Sequence, residues 1–598
     1  MKRGGFLHEL SRRRVWQVAG AYIILGWVFV EIVLETFPML GFPDWVPMAV
    51  VIAAYAGFPV VVMLAWLFDI TPQGLVLTPK LPVLVQDDEE EKEDEAPAPR
   101  VVVQARPALL AGVFGAGMIF ALVAFGAYSV IVPAERVRPE AIQSLAVMPF
   151  TDLSPDGDKQ HFADGMADEL ISRLSRIGEI RVAARTSSFQ LKEAEATLAD
   201  IGRQLKVDAV VDGSVRRDGD QLRVIVELVD VASGFQVWSG RYDRTMDDLF
   251  VVQDEISGAI VDALSLHLGP AEQQTAGTTN LRAHDAYLLG LARWHGRTRE
   301  DLLRARDYFL EALAQDPEYD LAHAGLALTY AVLPLYHDIP ADQALEAGYA
   351  AAARALALNA HLAEAHAAIG HIALYLEWNL VGAEVAYRRA LESRPNYATG
   401  HHWYAEALLI MGRLAEAREE IGRALELDPL SVAAQYIKAY LLVVERDYDG
   451  ALTAFTDLVE RHPGFTLGHE SVVLLCLAAG CFDQAERAAF SAYPDKAAIV
   501  LEVIRARRDP SLRSGALAAL AGARDQLPSV QLALFHSALG DRDTTLEILE
   551  STQQSQDDPM LPLFLVHPLF DELRQEPRFR KIADAIGVEA PTARLAQR

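Results

Sequence analysis

The sequence predicts a multidomain chain: three transmembrane α-helices, a small α/β domain with a mixed sheet, and an all-α repeat superhelix. Three observations predict it: long apolar runs in the first 132 residues, β-like runs alternating with amphipathic helices over 140–270, and a small-residue, aromatic and proline spacing that recurs from 283 onward. At 598 residues the chain has room for about four domains. Its 82 acidic and 54 basic residues give a formal charge of −28, which argues against a nucleic-acid partner, since phosphate neutralisation needs clustered Lys and Arg. Cys476 and Cys481 are too few for a disulfide framework or a four-thiolate zinc site.

Val15 to Phe37, Trp45 to Phe68 and Ala108 to Val132 are each about as long as a bilayer-crossing helix. Lys2, Arg3 and Arg12 to Arg14 precede the first run, the connector 38–44 has no basic residue, and Lys80, Lys92, Arg100 and Arg106 follow the second. The positive-inside bias then places a basic tail (1–14) in the cytoplasm and two helices within 15–68. An acidic, disordered cytoplasmic loop (69–107) and a third helix (108–132) follow. Everything after residue 132 falls in the periplasm of a bacterial inner membrane, with the lipid bilayer as a partner. Gln86 to Glu95, QDDEEEKEDE, has almost nothing to bury, hence the disorder. Glu31 and Glu35 share a helical face, with Glu31 expected among the helices and Glu35 at the interface. Gly112, Gly115 and Gly117 leave room for a homo-oligomer through the transmembrane helices.

Over 140–270 the expected strands are Ser144 to Phe150, Glu179 to Arg185, Ala209 to Arg216, Gln221 to Val231 and Phe235 to Tyr242. Helices are expected at Phe162 to Ile177, Thr197 to Leu205 and Asp247 to about Leu268, an order that implies a mixed sheet with helices packed on it. The runs SLAVMPF, HFADGMADELISRLSRIGEIRVAARTSSF and IGRQLKVDAVVDGSVRRDGDQLRVIVELVDVASGFQVWSGRYDR resemble the TolB amino-terminal-like, or FlgO-like, domain of bacterial envelope proteins. FLHELSRRRVWQVAGAYIILGWVFVE and AWLFDITPQG look like the membrane region of a group in which that domain precedes tetratricopeptide repeats. Some relatives carry a nucleotide cyclase or winged-helix domain ahead of that region. This chain is expected to begin at its membrane domain, so neither activity carries over. The resemblance implies a non-catalytic module. No GxxxxGK[ST], HExxH or GxSxG is present, so no catalytic residue, cofactor or metal is expected. Asp164, Asp168 and Glu169 read as solvated helix residues, and Arg216, Arg217, Arg241 and Arg244 form a candidate anion patch.

From 283 to 590 the spacing Ala-x3-aromatic-x2-Ala-x4-Pro appears as Ala305, Phe309, Ala312, Pro317 and as Ala383, Tyr387, Ala390, Pro395. Relaxed copies are Ala417, Ile421, Ala424, Pro429 and Ala451, Phe455, Leu458, Pro463, while Gly348, Ala352, Ala355 and Ala360 fill the same slots without proline. Pro395, Pro429 and Pro463 are 34 apart, and the positions resemble tetratricopeptide repeats, about seven of them. His567 to Gly587 reads as closing helices over the last repeat. First helices would line a concave wall where His371, Tyr375, His402, Glu406, Tyr436 and Tyr440 suit capture of a peptide segment. Cys476 reads as a buried small hydrophobe and Cys481 as a surface thiol, and His361, His366, His401 and His402 as surface residues.

The expected function is a non-enzymatic inner-membrane scaffold or receptor that binds envelope proteins or peptides through its periplasmic domains. The alternative is a transmembrane signalling component that senses a periplasmic state and regulates a cytoplasmic partner related to a cyclase or transcription regulator.

Overall fold

The computed structural model describes residues 142–588 apart from 156–159, 178, 194–195, 265–276 and 337–338, and earlier only 22–24, 27, 30, 31, 51, 68–71 and 74–77. The chain divides into two compact units, Met1–Arg138 and Pro139–Arg598.

In the first unit, β1 (Phe68–Thr71) and β2 (Gly74–Leu77) form an antiparallel hairpin. Phe68, expected to end the second membrane helix, instead opens this hairpin, which also occupies the start of the expected disordered loop. Among the described residues no helix is long and apolar enough to cross a membrane. The longest, Ala341–Leu358, carries Asp342, Glu346 and Arg354, whose burial in hydrocarbon would be costly. This finding overturns the fold class with three transmembrane helices. It also overturns the inner-membrane localisation with a cytoplasmic N-terminus and everything after residue 132 in the periplasm. Tyr22 to Ile24, Trp27, Val30, Glu31 and Val51 are helical, while the rest of 15–37, of 45–67 and all of 108–132, with Glu35 and the acidic run 86–95, lie outside the described residues.

In the second unit, a sheet runs in the order β5 (Arg181–Val182), β3 (Ser144–Val147), β6 (Ala209–Asp218), β7 (Gln221–Asp230), β8 (Gln236–Thr245), with β4 (Thr151–Asp152) also beside β6. β3 pairs in parallel with β5 and β6, which requires helical crossovers, whereas β6, β7 and β8 form an antiparallel meander. The first meander turn is only Gly219-Asp220, with Gly219 in the left-handed region at φ 58°. Alternation in β7 sends Leu222, Val224, Val226 and Leu228 to one face, covered by α1 (Gln160–Leu174) and α4 (Leu249–Ala263). The opposite face buries Ala146, Met148 and Val210 under α2 (Arg185–Glu193) and α3 (Leu198–Leu205). Thr197 caps α3 in a reciprocal box with Asp200, so the expected helix start there is its cap. Helix α2 is not among the helices expected from sequence, because RTSSFQLKE opens with Thr and Ser, which favour caps and turns over helix interiors.

Eight helix pairs follow among the described residues: α5 (Leu281–Gly296) with α6 (Arg299–Gln315), α7 (Asp320–Val332) with α8 (Ala341–Leu358), and α9 (Ala363–Tyr375) with α10 (Leu380–Ser393). Next come α11 (Ala398–Ile410) with α12 (Leu414–Leu427), α13 (Val432–Val444) with α14 (Tyr448–Arg461), and α15 (Thr466–Ala479) with α16 (Phe482–Ala492). The last are α17 (Ala497–Arg508) with α18 (Arg513–Gly522) and α19 (Ser529–Ala538) with α20 (Arg542–Ser555). Small residues on first helices make room for the second-helix aromatic. A Cβ at Gly290 or Gly325 would come within 2.8 or 2.6 Å of Phe309, and one at Gly370 within 2.6 Å of Tyr387. A second device recurs near the start of five first helices. The side chains of His323, His366, His401, Gln435 and His469 each bond to the backbone carbonyl six residues earlier, on Pro317, Ala360, Pro395, Pro429 and Pro463. Those histidines satisfy loop carbonyls, and His401, read as a surface residue, is buried with its other ring nitrogen 2.6 Å from Glu420.

After α20 the chain turns inward. α21 (Leu561–Phe564) and a 3₁₀ turn (Pro568–Leu573) contact α11, α15 and α19, while α22 (Pro577–Ile586) returns to α20. Tyr440 donates to the Leu563 carbonyl at 3.3 Å, Ser537 to that of Leu569 at 2.6 Å, and Arg446 pairs with Asp571. The expected closing segment thus also fills the arc's inner side. Cys476 and Cys481 are joined in a disulfide, correcting their reading as separate thiols. Gly480, at φ 87°, ends α15 in a left-handed cap that brings their Cα atoms to 4.6 Å.

Phe309 sits at 0% exposure against two glycines. Phe309→Ala is expected to lower the unfolding free energy by about 3–5 kcal/mol, measured by urea denaturation of the full chain.

Candidate functional site

The α/β domain is seated on the helical arc by hydrogen bonds that begin at the start of α2. Ala184 N donates to the Leu427 carbonyl at 2.7 Å, and the Ser187 hydroxyl donates to Asp428 while accepting from Leu430 N at 2.9 Å. From the arc, Asn396 Nδ2 donates to the Ile180 carbonyl at 2.9 Å, and Arg394 bridges Ser172 Oγ at 3.1 Å and Glu364 at 2.8 Å. Gly165 lets α1 approach α5, since a Cβ there would meet Leu288 at 2.5 Å. Leu430 reaches into the apolar cluster under α2 and α3.

Beside this seam lies a cleft of about 160 Å³ lined by both parts. Asp168 and Glu169 enter it from α1 and are not solvated, as their helical spacing alone suggests. Asp168 lies 3.3 Å from Arg185 and 3.6 Å from His295, and Glu169 lies 3.4 Å from the buried His284. Burial pushes the Asp168 carboxyl up, but the His295 imidazole and the Arg185 guanidinium outweigh it and hold it below the usual carboxylate range. Burial, with Arg185 beside it, pushes His295 down to about 4, so it is neutral at pH 7. Glu364 is likewise held low, because Arg394 and Arg176 overcome its burial. Asp428 has only hydroxyl and backbone donors, from Ser187 and Thr186, and burial pushes it up to about 6. Asp164, farther along α1, is raised by burial and accepts from Gln160 at 2.6 Å.

The concave-wall residues named from sequence lie mostly in the arc's core. His371 is 3% exposed and stacks on Trp403 with ring centroids 4.0 Å apart. Tyr375 is buried facing Glu406, whose carboxyl burial pushes up to about 7. Tyr436 and Tyr440 stack on each other at 5.9 Å, with Tyr440 also against Phe564 of the inward-turned segment. His402 is half-buried, pushed down to about 3 by burial and by Arg297. The arginine patch does not converge. Strand alternation puts Arg216 and Arg241 on one face and Arg217 and Arg244 on the other. Each has a carboxylate neighbour: Asp218 for Arg216, Asp285 for Arg217, Asp243 for Arg241 and Glu255 for Arg244. The cleft residues that sequence reasoning missed, Arg176, Trp294 and Arg394, come from distant stretches, and no local spacing marks them. Among the described residues no group of three or more His, Cys, Asp or Glu is placed to hold a metal ion.

Residues 141–258 match the family described as HilA/YgeH-like transcriptional regulator, second domain. That stretch falls within the α/β domain expected over 140–270, for which this is the family matched rather than the expected TolB amino-terminal-like one. Residues 382–432 and 405–464 match the tetratricopeptide repeat family. The repeats are tetratricopeptide repeats, and the chain is a scaffold of that protein-interaction type. The chain is similar to "Putative adenylate cyclase 3" of Rhizobium meliloti (strain 1021), 34% identical over 193 residues, 31% of this chain and 32% of that protein. It thus spans about a third of the length of the curated relative it matches. Among solved structures it is similar to a thermophilic TPR protein of Thermus thermophilus, at 18% identity and TM-score 0.28 over 33% of this chain and 99% of that one. Pseudomonas aeruginosa pilF is 22% identical with TM-score 0.29, covering 38% of this chain and 99% of that one. The human IFIT1 dimer with PPP-AAAA is 16% identical with TM-score 0.34, covering 57% and 79%. These structural likenesses are of fold alone.

Asp428 and Glu406 titrate higher in the folded chain, at about 6 and 7, than in an unfolded one. The folded state therefore holds protons that the unfolded state releases, and this contribution is full below about pH 4 and lost as pH rises through 6 to 7. Carboxylates held low, such as Asp168, act with the opposite sign only at lower pH. His295 and His402, pushed down to about 4 and 3, act with the opposite sign over much of the same range, so the contribution of Asp428 is read as the difference between the chain and its Asp428→Asn variant in urea melts from pH 5 to 7.5. Between pH 5 and 7.5 the chain should lose about 1–1.5 kcal/mol relative to Asp428→Asn, and a difference that does not change with pH would refute the assignment.

Proposed function

We propose that this chain is a regulatory scaffold, in which the tetratricopeptide arc and the α/β domain act together and a partner protein pairs with the outer edge of the mixed sheet. The observation that carries this reading is β8. It is ten residues long, ends the sheet order, and has no strand on its outer side among the described residues. Phe235 just before it and Val237 within it are 76% and 44% exposed. Proteins usually blunt or cover such an edge, and an extended segment of a partner would satisfy its backbone while covering both side chains. The inner side of the arc, where tetratricopeptide proteins commonly hold a ligand, is taken up here by the chain's own residues 561–573. The regulatory class is supported by the family matched at 141–258 and by the name of the curated relative, which together favour a cyclase or a transcription regulator as partner.

The test is capture of purified cyclases and transcription regulators from the source organism by the full chain, with and without Phe235→Glu and Val237→Glu. The double variant is expected to lose about tenfold or more in partner affinity while keeping its urea midpoint, since both side chains are exposed. Undiminished capture, or loss caused instead by Val381→Glu on the outside of α10, would move the partner surface off the sheet edge.

A further inference from the structure

Four guanidinium groups line the cleft between the α/β domain and the arc: Arg173, Arg176, Arg185 and Arg394. Four carboxylates, Asp168, Glu169, Glu364 and Asp428, line it too. The numbers balance, but the pairing does not. Arg185 is engaged by Asp168 at 3.3 Å and Arg394 by Glu364 at 2.8 Å, while Arg173 turns away to Asp254, which is not in the lining. Glu169 faces His284, and Asp428 is held by hydroxyls. Arg176, half-buried, has no carboxylate at ion-pair distance among the described residues and acts at longer range on Glu364, which it shares with Arg394.

Three buried donors in the same lining have no hydrogen-bond acceptor among the described residues, Arg185 Nε, Trp294 Nε1 and Arg394 Nε, the last two on residues only 4% and 6% exposed, against one buried acceptor without a donor, Glu169 Oε2. Indole and guanidinium groups donate and cannot accept, so they cannot satisfy one another. Three unpartnered donors against one unpartnered carboxylate oxygen leave the cleft short of acceptors despite its four carboxylates. We propose that it binds a phosphate-class oxyanion, either the free ion or the phosphoryl head of a nucleotide, held by Arg176 together with Arg394 Nε and Trp294 Nε1.

The choice of phosphate follows from the donor set. Three donors from three places, the turn after α1, helix α5 and the residue that caps α10, suit a tetrahedral anion with acceptors in several directions better than a planar carboxylate. A volume of about 160 Å³ admits a head group and not a whole drug-sized ligand, so any base would lie at the mouth. Burial also depresses Arg176, the direction that an incoming anion would reverse.

The experiment is calorimetric titration of the full chain with inorganic phosphate, AMP and acetate, repeated with Arg176→Gln and Trp294→Phe. Saturable binding of phosphate or AMP is expected, weakened about tenfold or more by Arg176→Gln. Trp294→Phe keeps the ring and removes one donor, so it should weaken binding severalfold. Because Arg176 also helps hold Glu364 ionised, the unliganded melting temperature of Arg176→Gln is measured alongside, and Trp294→Phe, which removes a donor and no charge, keeps the binding readout separate from folding. Phosphate binding without AMP binding identifies the free ion. AMP binding that phosphate competes away identifies the nucleotide head, and both outcomes support the site. Absence of binding by both, equal affinity for acetate, or an affinity unchanged in Arg176→Gln would overturn it.

Discussion

The architecture depends on a buried polar seam, where the start of α2 meets the loop after α12. A backbone amide, a serine hydroxyl and a buried aspartate, Ala184, Ser187 and Asp428, form it across more than 240 residues of sequence. Each such hydrogen bond adds only about 1 kcal/mol net, but a buried group left without its partner costs more than that. The seam therefore acts less as glue than as a register. The α/β domain can sit on the arc with few unpaired groups in this position, and a shift of a few ångströms would strand Asp428 and the Leu430 amide in an apolar surrounding. The cleft exists because that register holds its two walls apart at a fixed spacing.

The same reasoning explains the inner side of the arc. Superhelical curvature set by glycine against aromatic, as at Gly325 with Phe309 and Gly370 with Tyr387, draws the first helices together. It would leave their tyrosines and histidines facing an empty groove. The chain fills it with residues 561–573, whose carbonyls accept from Tyr440 and Ser537 in the way a bound peptide's would. Leu561, Leu563, Leu565, Val566 and Phe570 are all buried there. An outside peptide would have to displace that whole apolar surface to reach the wall.

Periodicity makes the repeats legible, since a 34-residue spacing of proline and alanine reports a packing rule that each copy obeys locally. It also makes most strands of the sheet legible, because alternation at Leu222, Val224, Val226 and Leu228 is local too. The cleft is not legible. Asp168 reads as a solvated carboxylate until α5 brings His295 and α2 brings Arg185 beside it, and neither contact leaves a trace in spacing. Tyr440 reads as a ligand-facing residue because nothing in its own helix announces that residues more than 120 positions later will cover it. The long apolar runs show the opposite failure. Composition suggests bilayer-crossing helices, but Phe68, at the end of one run, opens a β-hairpin, and among the described residues no helix is long and apolar enough to cross a membrane.

Charge gives the cleft its selectivity. The chain as a whole carries −28, so at long range it repels anions, and only short-range contacts can reverse that. At physiological ionic strength the screening length is about 8 Å, which confines the attraction of Arg176 to the cleft itself. An anion that merely drifts along the surface gains nothing there. One that enters exchanges its hydration for donors already fixed in place by the seam, with Arg394 anchored to Glu364 and Ser172 and Trp294 packed beneath Arg297 at 3.7 Å. Preorganised donors cost little further ordering when a ligand arrives, which is how a small cleft in a strongly acidic protein can hold an anion without a basic surface around it.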